Sequence, residues 1–263
     1  MKSRFRKMPI KIMERDEKMK VTIIHGQDHK GSSYNIGKML SEKISNAEIT
    51  EFFLPRALNH FCKGCYTCTK DETKCPYYEE KNVIMQAVEA ADVLIFTTPT
   101  YCMRASAPMK AFIDLSFTYW MPHRPRKCMF SKKAVVISTA AGSGAKSATK
   151  DVATALQYWG VPYVKQYGIA VQAASWDQVS EKKKRKIENK INKLANGLQK
   201  SKVHVGLKIK FLFSLMRLMQ SKGMGSDESE RVYWEEQGWL EKARPWKIET
   251  PQKHRTRCHK NTD

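Results

Sequence analysis

No stretch of the 263 residues has the length and apolarity of a membrane span. The first twenty residues are interrupted by charge throughout, so no signal-peptide core is expected there. Carboxylates are scarce: 26 Asp and Glu stand against 47 Lys and Arg, a formal net charge of +21. Much of that excess lies in the N-terminal arm, in Lys182 to Lys186 and in the run from Lys253 to Lys260, which read as solvated faces and tails. A nucleic-acid signature with interleaved aromatics is missing, so a specific nucleic-acid partner is not expected. Seven cysteines are too few and too unevenly spread for a disulfide scaffold; reduced thiols and a cytoplasmic location follow as expectations. Two nucleotide-binding patterns are also lacking, Gly-x4-Gly-Lys-Ser/Thr and Gly-x-Gly-x-x-Gly.

What is present is concentrated. Cys62, Cys65, Cys68 and Cys75 fall within fourteen residues, and Pro76 follows the last. Two successive two-residue gaps let three thiolates converge from one loop, as in the closely spaced cysteines of bacterial ferredoxins. Zinc fits less well, because structural zinc usually takes two separated pairs. Two readings stay open on spacing alone: an iron-sulfur loop, or a metal-free loop that forms transient disulfides at most.

Around that loop the chain alternates strand and helix. Val21 to Ile24, Ile49 to Leu54, Val93 to Phe96, Ala134 to Ser138 and Ile169 to Val171 read as strands. Helical periods run from Ile36 to Ile44, from Val83 to Val88 and from Ala148 to Trp159. Continuous apolar strands separated by helices imply a parallel sheet covered on both faces, an α/β three-layer sandwich. In such sheets ligands bind beyond the carboxyl ends of the strands. Lys30, Ser32, Ser33, Tyr34 and Asn35 follow the first strand at a helix start, where amides and hydroxyls suit a phosphate. Pro99, Thr100, Tyr101, Cys102 and Met103 follow the third, and Ala140, Ala141, Gly142, Ser143 and Gly144 the fourth. Small residues there admit a flat ring close to the backbone, with Tyr101 and Met103 as apolar contacts. The three loops together suit one mononucleotide. Cys102 reads as a small apolar filler beside that ring.

These segments carry a family resemblance. Lys30-Gly31-Ser32-Ser33, the four-cysteine insert, Thr98-Pro99-Thr100-Tyr101, Ala107 to Asp114 and Ala141-Gly142-Ser143-Gly144 are similar to those of the flavodoxin-like NAD(P)H-dependent FMN oxidoreductases, particularly the iron-sulfur flavoprotein branch. The resemblance covers about Lys20 to Ser175, and the pairs Tyr233-Trp234 and Gly238-Trp239 resemble some relatives' tails. It implies the sheet order 2-1-3-4-5, FMN phosphate on Lys30 to Asn35, and the flavin ring between Pro99 to Met103 and Ala140 to Gly144. It implies NAD(P)H as cosubstrate, a small acceptor such as a quinone and a soluble homo-oligomer. A 4Fe-4S cluster on Cys62, Cys65, Cys68 and Cys75, fed by a ferredoxin-like donor, is the branch's expectation. The chemistry is borne by the flavin, so no separate catalytic side chain is expected. Relatives commonly carry Gly-Ser-Pro where this chain has Gly26-Gln27-Asp28, which brings a carboxylate near the phosphate.

The expected organisation is a basic arm at 1–18, an FMN-binding domain at 19–200 with the cysteine insert at 61–80, and a C-terminal extension at 201–263. In that extension Val203 to Lys210 alternates like a strand, and Phe211 to Met219 fits a helix apolar on more than one side. Packing or oligomerisation is expected to cover it, in preference to a membrane. His123-Arg124-Pro125 reads either as a cationic contact for an anionic cofactor or as a stiff polar connector. A nonenzymatic thiol or metal redox sensor on the same scaffold is the alternative function.

Overall fold

The structure, a computed structural model, describes residues 18–200 and 202–247. The basic run from Lys253 to Lys260 and all but the last residue of the N-terminal arm lie outside the described residues. In chain order the elements are β1 (Met19–His25), α1 (Ser32–Glu42), β2 (Ala47–Phe53), α2 (Leu54–Ala57), α3 (Thr67–Lys70), α4 (Tyr78–Ala90), β3 (Val93–Tyr101), β4 (Arg104–Ala105) and α5 (Ala107–Leu115). They continue with β5 (Lys133–Ala140), α6 (Ala145–Tyr158), β6 (Tyr163–Ala170), α7 (Glu181–Lys200), α8 (Leu207–Ser221) and α9 (Glu228–Glu236).

Five strands form a parallel sheet in the order β2-β1-β3-β5-β6, while the two-residue β4 folds back antiparallel on the end of β3. Counting only the five long strands, this is the expected 2-1-3-4-5 order. Alternate residues of each central strand point to opposite faces. Ile24, Leu94, Phe96 and Val136 pack with Phe112, Leu156 and Trp159 on one side. Val21, Ile23, Ile95, Val135 and Ile137 pack with Ile36 and Leu40 of α1 and Ile187, Ile191 and Leu198 of α7 on the other. Each such side chain contributes about 1.5–3 kcal/mol by leaving water. A charge at Val135, fully buried between β3 and β6, would break both strand contacts at once.

The C-terminal extension departs from expectation in one place. Residues 202–206 form no strand, and helix α8 begins at Leu207, capped by an extended Gly206. The helical spacing of Ile209, Phe213, Met216 and Gln220 places those four on a buried face, which outweighs the short alternation before them. That face joins Met121, Phe130, Trp234 and Trp239 in a third apolar cluster.

Candidate functional site

Helix α1 starts at Gly31 with no side-chain cap, so its first-turn amides are left for another acceptor. The loop in front is held in place by Asn35, whose amide donates to the carbonyls of Lys30 (3.0 Å) and Gly31 (2.9 Å). Asp28, the carboxylate that seemed misplaced beside a phosphate, is paired with Arg56 at 2.5 Å, and Arg56 lies over the Phe53 ring. Its charge is thereby matched by a cation from α2. Behind the loop, His25 bonds Thr97 through Nδ1 at 2.8 Å, stacks on Phe53 and meets Tyr34 at a tilt. Burial lowers its pKa, partly offset by Glu51 at 3.6 Å.

The second loop is a tight hairpin. Tyr101 pairs with Arg104, leaving Cys102 and Met103 as a two-residue turn with φ of +46° and +66°. Both residues lie in the left-handed region that normally selects Gly or Asn, at a cost of roughly 1–2 kcal/mol each. Three contacts hold the turn. Asp151 of α6 accepts from Arg104 (2.9 Å) and from the Ala105 amide (3.3 Å), and the Thr100 and Ser138 hydroxyls bond at 2.9 Å. Gly144, at φ +90°, lies so close that a Cβ there would sit 2.9 Å from the Met103 Cα and from Thr100 Cγ2. The same residue opens α6, again without a side-chain cap. A hydroxyl relay joins the first and second loops: Ser106 donates to the Gly26 carbonyl at 2.7 Å and receives from Thr98 at 3.1 Å. All three predicted loops thus lie at the carboxyl ends of β1, β3 and β5. Tyr101, Cys102 and Met103 are exposed, as are Ala141, Gly142 and Ser143. Cys102, at the positive-φ turn, is exposed at the surface.

The four cysteines ring one cavity of about 180 Å³, with Tyr66, Pro76, Tyr77, Leu115 and Phe117 among its walls. That is several times the roughly 30 Å³ share of one water molecule. Among the described residues, no three Cys, His, Asp or Glu side chains close on a point tightly enough for a single metal ion. Left-handed Gly64 and Tyr66 turn the backbone around the cavity, and the Gly64 amide donates to Cys62 Sγ at 3.5 Å. Thr67 beside Cys65 lowers that thiol's pKa. Cys68 is pushed up, by burial first and by Cys75 next, with Lys81 acting against both.

Lys81 escaped sequence reading altogether. It is 2% exposed on α4, and its Nζ has no hydrogen-bond partner. Among the described residues no carboxylate pairs with it; an aromatic ring, Tyr78, lies 5.9 Å away. A buried ammonium without an anion costs on the order of several kcal/mol. Adjacent thiolates would offset that cost.

Arg124 resolves the reading of the connector. It is 8% exposed and donates to the carbonyls of Cys68 (3.0 Å), Thr69 and Lys70 (3.1 Å), capping α3, and to Ser229 Oγ at 2.7 Å. His123 bonds Glu230 at 2.8 Å, and its carbonyl receives the Trp234 indole N–H at 2.7 Å. The segment is a connector that fastens α9 to the cysteine loop. Helix α5 links the two sites: it starts just after the β3–β4 hairpin and ends at Leu115 in the cysteine cavity, about 12 Å along its axis.

A parallel sheet in this order, with uncapped helix starts and glycine-bearing loops at one end, defines a flavodoxin-like mononucleotide-binding protein. Residues 19–175 match the NADPH-dependent FMN reductase family, more than half of the chain. The chain belongs to that family. It is 29% identical over 96 residues to an iron-sulfur flavoprotein of Archaeoglobus fulgidus, a match spanning 35% of this chain and 42% of that protein. An NAD(P)H:quinone oxidoreductase from Methanothermobacter marburgensis has a similar fold, with TM-score 0.53 at 15% identity, over 72% of this chain and all of that one (100%). So does an FMN-dependent NADH-azoreductase from Bacillus anthracis in complex with FMN, with TM-score 0.50 at 14% identity, over 67% of this chain and 100% of that one. Among the described residues no helix is long and apolar enough to cross a membrane.

Proposed function

We propose that FMN lies across the three strand-end loops, that Cys62, Cys65, Cys68 and Cys75 carry an iron-sulfur cluster, and that the protein passes electrons between them to a small acceptor of the quinone class. Lys30, Ser32, Ser33, Tyr34 and Asn35 would take the phosphate at the free amides of α1. Pro99 to Met103 would face one part of the ring system and Ala140 to Gly144 another. The flavin supplies the exchange between a two-electron nicotinamide donor and single-electron carriers. The protein's own part is to orient the ring, hold the strained hairpin and keep both sites at the two ends of α5.

The observation that carries the cluster reading is that the four cysteines share one cavity, with the orphaned Lys81 outside its lining but acting electrostatically on Cys68. A group bound by four thiolates is anionic, and such a cation favours it. Bare thiols leave Lys81 unmatched. A single-metal site asks for convergence that the four side chains do not show.

Anaerobic purification with absorption spectroscopy, iron and acid-labile sulfide analysis tests this. Flavin with about four irons per chain is the expected result. Flavin without iron after attempted reconstitution rejects the cluster and leaves a two-electron reductase. Loss of both chromophores rejects the three-loop flavin site as well.

A further inference from the structure

Helix α8 is apolar on two opposite sides. Ile209, Phe213 and Met216 enter the third cluster. On the other side Leu207, Phe211, Leu215 and Leu218 follow one another at helical spacing and are 84%, 70%, 41% and 51% exposed. At 100° per residue these four fall within an arc of about 80°, centred opposite the buried row. Met224, just past the helix, is also exposed at 60%. Isolated exposed leucines need no explanation; a continuous stripe of four large side chains marks a contact surface.

Charge decides what that surface meets. No Asp or Glu occurs from Asn189 to Ser226. Lys208 and Lys210 flank the stripe near its start, and Lys222 lies at its end. A two-fold pairing of α8 with a second copy would bring these lysines toward their equivalents with no carboxylate between them. The two sequence segments outside the described residues are themselves cationic, at 1–17 and 248–263. Neither complements the rim. An anionic bilayer surface does: acyl chains accept Leu207, Phe211, Leu215 and Leu218, while headgroups accept the lysines. The helix has 15 residues and lies on such a surface without crossing it.

We infer that the outer face of α8 docks the protein on anionic lipid membranes, with Leu207, Phe211, Leu215 and Leu218 inserted at the headgroup boundary. This rests on the α8 surface alone and does not depend on the cluster or flavin readings. It differs from the expectation that packing or oligomerisation would cover this helix, because the described residues cover only one of its two apolar sides.

The test is flotation of the full-length protein with phosphatidylglycerol/phosphatidylcholine vesicles and with pure phosphatidylcholine vesicles. The F211S/L218S double variant is run beside the wild type, with circular dichroism to check its fold. Wild type is expected to float with the anionic vesicles, much less with neutral ones, and the variant's affinity to fall at least about tenfold. Three results overturn the proposal. Wild type stays at the bottom of the gradient, the folded variant floats as well as wild type, or sedimentation velocity shows that the variant splits an existing oligomer. The second result would assign binding to a basic segment elsewhere, and the third would make the stripe a subunit interface. If F211S/L218S misfolds, K210E/K222E takes its place, read against the same three outcomes.

Discussion

The strand-end loops and the cysteine cavity are built by different means. The loops are held by matched groups: Thr98, Ser106, Thr100 and Ser138 bond one another or backbone, Arg56 pairs with Asp28 and Arg104 with Asp151, and two helix starts present uncapped amides. Two buried cations lie outside the cavity lining, Arg124 fastening the carbonyls of Cys68 to Lys70 and Lys81 without a hydrogen-bond partner among the described residues. They also differ in what supports them. Every loop residue lies inside the family-matched segment 19–175, whereas the cysteine loop leans on Ser229, and through His123 on Glu230 and Trp234. A self-contained site whose charges are paired suits a ligand that is bound whole. A cavity tied to a distant helix, with an unmatched cation acting on one of its thiols, suits a charged group assembled in place. The two sites should therefore fail separately.

The largest separation is expected from Cys68→Ser. Iron and sulfide should fall from about four per chain to near zero, because one of four ligands is lost. Flavin content should stay at one per chain. Simultaneous loss of flavin would show that the sites are one folding unit.

Gly144→Ala is the converse. Its φ of +90° and the 2.9 Å approach to the Met103 backbone leave no room for a methyl group. About 2–3 kcal/mol of strain and displaced hairpin should weaken FMN binding by tens of fold. Iron content should be unchanged, and a fluorescence titration with FMN measures the loss directly.

Lys81→Met gives a smaller effect but a diagnostic sign. In iron-free protein the change removes an uncompensated buried charge and should raise stability by about 1–3 kcal/mol. In iron-loaded protein it removes the cation that matches the thiolates and should lower stability and cluster retention. Thermal melts of both forms read the two signs. An increase in both would mean that Lys81 has no anion to serve.

Much of this arrangement was legible in the residues. Val93 to Phe96 and Ala134 to Ser138 are continuous apolar runs because both faces of a parallel strand are buried, and helical spacing located α1 and α6. The loops followed, since strand ends are where such sheets bind ligands. Cys62 to Cys75 were visible from spacing, and the structure adds that they face one cavity. Lys81 was not legible: in Tyr78-Glu79-Glu80-Lys81 it reads as an ordinary solvated helix charge, and only tertiary packing shows it buried. Arg124 was ambiguous for a similar reason, because the carbonyls it caps belong to α3, more than fifty positions earlier. Alternation misled at Val203 to Lys210, where the third cluster recruited Ile209 into a helix.

The smallest effect concerns His25, a titratable group that lies behind the first strand-end loop. Burial lowers its pKa below the usual 6.5, with Glu51 only partly opposing the change. Above 6.5 the ring is neutral in folded and unfolded chains alike and adds no pH dependence. Below 6.5 the unfolded chain takes up a proton that the folded chain resists, so stability should fall as pH drops, by at most about 1.4 kcal/mol per pH unit. His25→Gln keeps a polar group beside Thr97 but removes this titration. Its stability deficit relative to wild type should therefore shrink on acidification, measured as urea-unfolding midpoints between pH 8 and about pH 5. A deficit that widens instead would mean that His25 is protonated in the fold and paired with Glu51, a third ion pair at the strand-end loops.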